Sequence, residues 1–313
     1  MSLQFSELPA RQRGALFQAL AAGQRIRVIE SHNGLSALVG SRAAVGVGED
    51  RREFDALWVS SLTSSASKGV PDVELVGLDR RLDTIAEIAM VTGKPLIVDG
   101  DTGGEAVQFE YQCRKLEQLG VSAVIIEDKR WPKRNSLSAD AKHTLADPIQ
   151  FAAKIRRGRA ARLSNDLLVF ARLESLIAGL GVDDALARAR VYLEAGADGI
   201  MIHSRARAPA PIYEFLDRYQ GLCAELGYRR PVVCVPTAYD SVTSEELFDR
   251  GADIVIYANH LIRSAVAAMQ ATCNALLTHD RGQDASAGIT PVAELLDLVG
   301  YQAALERDRL SER

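Results

Sequence analysis

Short apolar runs recur along the chain, and amphipathic segments with the spacing of helices lie between them. Eight such runs can be read from the sequence: 25–31, 56–61, 95–101, 123–128, 167–174, 199–204, 231–237 and 253–260. Each run is bounded by turn residues, as buried parallel strands are. The segments 104–120 and 181–197 are amphipathic and end near glycines. This alternation predicts an α/β fold with parallel strands.

Eight units of strand and helix are closed most simply into a (β/α)₈ barrel of the TIM type. A doubly wound open sheet is the alternative. No segment between residues 20 and 280 is rich enough in Pro, Gly or Ser to serve as an interdomain linker. We therefore predict a single domain over 1–313, with the barrel at 20–280 and a C-terminal helical extension at 281–313.

The segment after the eighth unit predicts two further helices. Residues 258–279 have a helical pattern, and Thr290 with Pro291 marks the start of a last helix that runs to about Leu310. The apolar stripe of this last helix consists of Val292, Leu295, Leu296 and Leu298. Because eight helices already close the barrel, the stripe needs another cover. Either a neighbouring subunit in a homo-oligomer or the chain's own barrel can provide it.

Composition excludes several classes of protein. The chain has 313 residues, 47% of them hydrophobic and 25% charged, which is close to the average of soluble domains. Its net charge of −4 is spread along the chain, so we expect no nucleic-acid partner. No apolar run approaches the roughly 20 residues that span a bilayer, and the N-terminus lacks the apolar stretch of a signal peptide. We predict a cytoplasmic protein without a membrane partner.

The four cysteines do not indicate a metal or redox site. They are far apart and form no C-x-x-C pair, so we interpret them as reduced thiols: Cys113, Cys223, Cys234 and Cys273.

Polar residues stand at the carboxyl end of nearly every predicted strand. In a (β/α)₈ barrel those ends meet at one mouth, where active sites lie. The strand-end residues are Ser31, His32, Ser60, Ser61, Asp99, Asp101, Glu127, Asp128, Arg172, Glu174, His203, Ser204, Thr237, Asn259 and His260.

Acidic residues at two consecutive strand ends predict a divalent cation. Asp99, Asp101 and Glu127 would repel one another in a mouth of low dielectric constant unless a cation or a proton compensates their charge. All three offer oxygen ligands, which suits Mg²⁺ or Mn²⁺ and argues against zinc. For any one of them alone, a helix cap or a surface ion pair is the simpler explanation.

Basic groups opposite the carboxylates predict an anionic substrate. Arg172 offers a planar fork for phosphoryl or carboxylate oxygens, and His203 offers an imidazole. The segment 128–146 is longer than the usual barrel turn and is rich in polar residues. It is either a mobile solvated loop or a lid that excludes water from the mouth. In the second case Lys133, Asn135 and Ser136 would add hydrogen-bond donors when substrate binds.

Three strings resemble one enzyme family. They are E-D-K-R-W-P-K-R-N-S at 127–136, D-G-D-T-G at 99–103 and A-R-L-E-S-L-I-A-G at 171–179. From about Ile29 through Arg263 the sequence resembles phosphoenolpyruvate mutase, of the isocitrate lyase superfamily. The resemblance implies a Mg²⁺-dependent isomerisation that moves the phosphoryl group of phosphoenolpyruvate from the enol oxygen to C3. Its product would be phosphonopyruvate, the first carbon–phosphorus compound of phosphonate biosynthesis.

The resemblance also implies roles for particular residues. A metal, Mg²⁺ with Mn²⁺ as a substitute, would be bound by Asp99 directly and mostly through water by Asp72, Asp101 and Glu127. The implied contacts to the phosphoryl and pyruvyl groups are Trp58, Ser60, Ser61, Leu62, Asn135, Ser136, Arg172 and His203. The implied catalytic residues are Asp72, Lys133, Asn135, Arg172 and His203. Related enzymes form tetramers with exchanged C-terminal helices, which implies a homo-oligomer, a dimer or a tetramer.

The sequence departs from the family pattern at three places. Gly103, Gly104 and Glu105 stand where the family usually has a turn with an aromatic residue. Ser61 stands where the family usually has glycine, and 40–54 is longer than the corresponding family segment, which predicts an irregular first helix.

Three other functions share features with this sequence. Phosphonopyruvate hydrolases share most contacts but usually have threonine in place of Asn135. Carbon–carbon lyases of the superfamily need a lid cysteine, and 127–146 contains none. The third function is that of a non-catalytic barrel that binds an anion or scaffolds a partner. The charged and polar residues at the strand ends are intact, which argues against lost catalysis.

Overall fold

Eight parallel strands form a closed barrel in the computed structural model, which describes residues 9–138 and 143–311. Strand β1 (Ile26–Glu30) pairs with the last barrel strand and with the second, and so closes the ring. The other strands are β4 (Ala56–Val59), β5 (Leu96–Asp99), β6 (Ala123–Glu127), β7 (Leu168–Leu173), β8 (Gly199–Ile202), β9 (Val232–Cys234) and β10 (Ile254–Tyr257). The predicted (β/α)₈ barrel and its eight strands are confirmed.

Helices surround the barrel. Most of them pack an apolar face on it, whereas Ile262 is the only buried residue of the last of these helices. They are α2 (Gly34–Arg42), α4 (Leu78–Val91), α5 (Ala106–Gln118), α6 (Pro148–Ala161), α7 (Gly181–Glu194), α8 (Ala210–Leu226), α9 (Ser244–Asp249) and α10 (His260–His279), with the short α3 (Ser61–Ala66) after β4. The start of α6 shows why these helices begin where they do. Asp147 accepts hydrogen bonds from the amides of Ile149 and Gln150, both at 3.0 Å, and Pro148 occupies the first turn.

Alternation along each strand divides the core into two layers. In β6, Ala123 and Ile125 point into the barrel, whereas Val124 and Ile126 pack against the surrounding helices. Because the period is two, Glu127 continues the inward series and the next residue points outward. The strand ends therefore place alternate residues in the mouth.

One further helix, α1 (Pro9–Ala21), lies before the first strand and was not predicted from the sequence. Its Leu16 is completely buried and belongs to the cluster inside the barrel. The side chain of Gln12 donates to the carbonyl of Lys94 at 2.8 Å, just before β5. Helix α1 therefore covers the end of the barrel opposite the mouth, and leaves the mouth as the open end.

The prediction of an irregular first helix is wrong. Helix α2 is regular, and Asn33 and Ser36 cap it reciprocally with hydrogen bonds of 2.8 and 3.0 Å. The extra residues form a separate antiparallel hairpin of β2 (Ala44–Val45) and β3 (Arg52–Glu53), joined through a 3₁₀ turn. The extra residues therefore lie after the end of the helix and do not disturb it.

The prediction of one terminal helix is also wrong. The chain forms α11 (Val292–Leu298) and α12 (Tyr301–Ser311) because Gly300 adopts a left-handed conformation, with φ of 76°. Among the helices of the described residues, none is long and apolar enough to cross a membrane.

Candidate active site

The carboxyl ends of the strands enclose a cavity of about 490 Å³ at the barrel mouth. Every residue predicted to contact substrate lines it: Trp58, Ser60, Ser61, Leu62, Asn135, Ser136, Arg172 and His203. Asp72, Asp99 and Lys133 line it as well. The residues come from four strand ends and two connecting segments, so the fold brings together groups that are distant in sequence.

The D-G-D turn after β5 places two carboxylates at the mouth. The amide of Asp101 donates to Asp99 Oδ1 at 3.0 Å, and Asp101 itself is left-handed, with φ of 52°. Gly100 between them lies against β6, where a Cβ would come within 2.7 Å of Ile126 Cγ2 and 2.9 Å of Val124 Cγ2. The turn therefore requires a glycine for steric reasons.

Replacing Gly100 with alanine is expected to destabilise the protein by about 1–3 kcal/mol, since the new methyl group overpacks the β5–β6 contact. Urea unfolding measures this difference. Gly93 is the matched control, because no heavy atom lies within 4 Å of a Cβ placed there. Equal stability of the Gly100→Ala and Gly93→Ala variants would contradict the steric argument.

The acidic side of the mouth surrounds the ammonium of Lys133. This group donates to Asp72 Oδ1 at 2.9 Å, to Ser61 Oγ at 2.7 Å and to Asp101. Burial alone would lower the pKa of Lys133, but the surrounding carboxylates outweigh it and raise that pKa. The lysine is therefore a fixed cation and not a neutral amine nucleophile.

Asp99 stays ionised in this environment. Burial would raise its pKa, but the charges of Lys133, Arg172 and Arg81 outweigh burial and lower the pKa to about 2. Ser61 donates to Asp99 Oδ2 through its hydroxyl at 2.9 Å and its amide at 3.3 Å. The serine that replaces the family glycine thus connects Lys133 to Asp99.

The carboxylates fit a hard cation in donor chemistry, and their present arrangement does not form a metal cage. The four predicted ligands all offer carboxylate oxygens, which Mg²⁺ prefers: Asp72, Asp99, Asp101 and Glu127. The buried Glu127 Oε1 has no hydrogen-bond partner among the described residues. Burial raises the pKa of Glu127 to about 7. Among residues 9–138 and 143–311, no three His, Cys, Asp or Glu side chains are arranged to hold an ion. Asp72 and Asp101 instead bind the ammonium of Lys133.

The cationic side of the mouth centres on Arg172 at the end of β7. Its Nε donates to Glu174 Oε1 at 2.5 Å and its Nη2 donates to Ser136 Oγ at 2.7 Å. Although burial opposes charge, the carboxylates of Glu174, Glu127 and Asp99 raise the pKa of Arg172. The guanidinium therefore remains charged beside the cavity.

His203 has two possible partners for one ring nitrogen. Arg172 Nη2 lies 2.8 Å from Nδ1 and Glu174 Oε1 lies 3.0 Å from it. Because a guanidinium only donates, Nδ1 accepts from Arg172 in one tautomer and donates to Glu174 in the other. Burial and the charge of Arg172 lower the pKa of His203, which favours the neutral ring. With Nδ1 accepting, the proton is on Nε2.

Three side chains of 128–146 contact the mouth, whereas Trp131 in the same segment is 76% exposed. Asn135 Nδ2 donates to Asp72 Oδ2 at 2.7 Å, and Ser136 Oγ donates to Glu174 Oε2 at 2.8 Å. Lys133 and Ser136 are only 3% and 4% exposed. Residues 139–142 lie outside the described residues. We call residues 128–138 and 143–146 the lid from here on.

Several of the predicted strand-end residues do not line this cavity, and Asp128 and His260 point away from the mouth. Asp128 points outward, where Tyr192 and Arg188 of α7 contact its carboxylate, and His260 is exposed at the start of α10. Both follow an inward-facing residue, so the alternation of the strand turns them away from the mouth.

Sequence reasoning assigned no site role to three buried charged residues. Glu174 contacts Arg172, His203, Ser136 and Lys129. Burial would raise its pKa, but the charges of Arg172 and Lys129 outweigh burial and hold that pKa well below the usual range. The strand-end pattern placed Glu174 at the mouth, and alternation along β7 puts residues 172 and 174 on one side, but neither gives Glu174 a role there. Lys129 donates to Ser136 and, at 3.1 Å, to the carbonyl of Arg134.

The third is Arg81, which is completely buried on α4 and donates to the carbonyl of Asp99 and to Asp101 Oδ2. No sequence pattern marked it, because a charged residue on an amphipathic helix ordinarily faces solvent.

Comparison with known proteins decides the family. The family model described as phosphoenolpyruvate phosphomutase matches residues 17–277, which is most of the chain. The chain belongs to the phosphoenolpyruvate phosphomutase family.

Relatives in this family and its superfamily have more than one activity. The chain is 37% identical to a phosphonopyruvate hydrolase of Variovorax sp. (strain Pal2), over 91% of this chain and 94% of the relative. The crystal structure of a phosphoenolpyruvate phosphomutase from Streptomyces platensis subsp. rosaceus matches with a TM-score of 0.88 and 34% identity, over 96% and 99% of the two chains. A phosphonopyruvate hydrolase in complex with oxalate and Mg²⁺ matches with a TM-score of 0.83 and 35% identity, over 96% and 98%.

Proposed function

We propose that this protein is a phosphoenolpyruvate mutase that interconverts phosphoenolpyruvate and phosphonopyruvate. The observation that carries the proposal is the contact between Asn135 on the lid and Asp72 in the mouth, at 2.7 Å. This contact supports the proposal because the amide lies beside a carboxylate of the mouth, in a segment that would exclude water from the migrating phosphoryl unit. The isomerisation breaks the bond from phosphorus to the enol oxygen and forms the bond from phosphorus to C3, and no atom enters or leaves.

A loose phosphoryl transfer requires mainly that the protein position the reacting groups and stabilise the negative charge of the phosphoryl oxygens. Arg172 is the group suited to bind phosphoryl oxygens bidentately, because its guanidinium is buried, charged and held by Glu174. His203 can donate from Nε2, and Ser60, Ser61 and Leu62 line the side of the cavity nearest Asp99. Trp58 is buried at the floor of the mouth and would lie against the pyruvyl group.

Mg²⁺ is the cofactor that this proposal requires. Asp99 would hold it, with Asp72, Asp101 and Glu127 mostly through water, and when bound it supplies positive charge for the phosphoryl and carboxylate oxygens. Mn²⁺ as a substitute stays a prediction. The mutase and hydrolase reactions differ only in the fate of the phosphoryl group, so the same cation would serve either reaction.

The lid decides whether water reaches the migrating group. Changing Asn135 to alanine removes the amide that closes on Asp72, and we expect it to divert at least part of the turnover from isomerisation to hydrolysis. Pyruvate and phosphate release by this variant, relative to phosphoenolpyruvate formation, measures the partition. An unchanged partition would argue against a water-excluding role for Asn135.

Phosphonopyruvate hydrolysis is the second candidate, favoured by the 37% identity to the Variovorax hydrolase. A phosphorus NMR time course on phosphonopyruvate with Mg²⁺ separates the two. We expect the signal of phosphoenolpyruvate to grow. Growth of free phosphate instead would establish the hydrolase, and no change with Mg²⁺ present would revive the non-catalytic barrel. A lyase is disfavoured because 127–146 contains no cysteine.

We also propose that the protein is a cytoplasmic homo-oligomer, a dimer or a tetramer. Helix α11 has no buried residues, and Val292 and Leu295 are 73% and 42% exposed on it. A second copy of the chain would cover this surface. Light scattering after gel filtration is expected to give a multiple of 33.9 kDa, and Leu295→Asp is expected to lower that mass. A monomeric wild-type protein would contradict the proposal.

A further inference from the structure

The lid is rooted in a short two-stranded stem at the end of β6. The amide of Ala146 donates to the carbonyl of Asp128 at 2.8 Å, and the amide of Arg130 donates to the carbonyl of Thr144 at 2.9 Å. Lys129 and Leu145 form an antiparallel bridge between them. Residues 128–130 and 144–146 are called the stem below. Lys133, Asn135 and Ser136 follow the first strand of the stem by only a few residues, so its position limits theirs.

One side chain outside the mouth contacts both strands of the stem. Arg188 of α7 directs Nη1 to Asp128 Oδ2 at 3.2 Å and to the carbonyl of Ala146 at 3.0 Å. Its Nε donates to Asp184 Oδ2 at 2.9 Å, which fixes the direction of the guanidinium. Tyr192, one turn further along α7, donates to Asp128 Oδ2 at 2.8 Å.

The stem is in turn joined to the strand ends that carry the site. Asp128 Oδ1 accepts a hydrogen bond from the amide of Glu174 at 2.9 Å. Asp128 also follows Glu127 directly in the chain. A shift of the Asp128 carboxylate would therefore be transmitted to the β7 end, where Glu174 holds Arg172 and His203, as well as to the lid.

We propose that Arg188 is a positioning residue of the lid. Its guanidinium joins the two strands of the stem and thereby sets where Lys133, Asn135 and Ser136 lie over the mouth. The catalytic consequence rests on the proposed function, whereas the structural consequence does not. A guanidinium suits this role because its several donors diverge in one plane and can bind a carboxylate and a carbonyl together.

Hydrogen exchange of the full chain tests the structural consequence. In Arg188→Met we expect the amides of 129–138 to exchange about tenfold faster, because the stem loses charge-assisted hydrogen bonds, while the amides of β5 and β8 keep their wild-type rates. Tyr192→Phe removes one contact to Asp128 without removing a charge, and it carries the test if the methionine variant does not fold. Arg190→Met is the matched control, since this arginine of the same helix pairs with Glu225 at the surface.

A conservative variant separates positioning from simple charge compensation. Arg188→Lys can compensate the charge of Asp128 but cannot reproduce the planar contact to Ala146 and Asp184 together. We expect it to restore the melting temperature while exchange in the lid stays faster than in the wild type. Lid exchange that is unchanged in the methionine and phenylalanine variants, or that rises equally in the barrel strands, would overturn the proposal, as would full recovery of lid protection by lysine.

The catalytic consequence has its own readout. If phosphonopyruvate is a substrate, Arg188→Met is expected to raise the ratio of phosphate to phosphoenolpyruvate formed and to raise KM by about tenfold, because substrate must order the loosened lid. Arg190→Met is expected to change neither. If no phosphonopyruvate is turned over by the wild type, the proposed function fails, and the exchange rates alone still decide the role of Arg188.

Discussion

Replacing Arg172 with methionine is expected to lower kcat/KM for phosphonopyruvate by about a hundred- to a thousandfold, the range that follows when one preorganised donor is removed from an active site. The guanidinium is buried at the cavity wall and held by Glu174 and Ser136. No other arginine lines the cavity among the described residues. Steady-state assays of the variant with saturating Mg²⁺ measure the effect.

Two comparisons make this result specific to the guanidinium. Arg218→Met is the control, because this arginine is half exposed on α8 and pairs with Asp183 and Glu214 at the surface. Arg172→Lys keeps the charge and is expected to recover only part of the activity, since an ammonium lacks the planar fork. If Arg172→Met kept the wild-type activity, Arg172 would not be the phosphoryl-binding group, and the account would be contradicted.

Replacing Arg81 with methionine is expected to lower the free energy of unfolding by about 3–5 kcal/mol, the cost of breaking a buried ion pair by removing one partner. Arg81 is completely buried and joins Asp101 Oδ2 to the backbone carbonyl of Asp99. Without it the D-G-D turn loses the group that holds both of its ends. Urea unfolding followed by circular dichroism measures the difference.

The neighbouring arginine provides the control for this prediction. Arg80 is exposed on the same turn of α4, and Arg80→Met is expected to change the free energy of unfolding by no more than about 0.5 kcal/mol. If the two variants unfold at the same urea concentration, the buried contacts of Arg81 do not contribute as the structure indicates.

The strand ends show what sequence patterns could predict. A buried parallel strand is apolar throughout, so a polar residue at its end stands out, and Asp99, Glu127, Arg172 and His203 were found in this way. The same rule misplaced Asp128, because counting polar residues without the period of two ignores which way each side chain points. Applying the alternation would have placed Asp128 outside the mouth.

Other parts of the site carried no such signal. Asp72 lies in a turn after α3, away from any strand end, and it was assigned only through the resemblance to the family. Arg81 and Arg188 are charged residues on amphipathic helices, where the pattern predicts solvent exposure. Their burial follows from partners supplied by other segments, Asp101 and Asp128, and such pairings between distant elements cannot be derived from local spacing.

The most direct measurement is isothermal titration of the wild-type protein with oxalate, the ligand bound with Mg²⁺ in the related hydrolase. Oxalate is a planar dianion that resembles the enolate of pyruvate. The account predicts binding that requires Mg²⁺ and that is lost in both Asp99→Asn and Arg172→Met, because a dication and a buried guanidinium at one rim hold the anion together. Equal binding in EDTA, or unchanged binding in both variants, would contradict it.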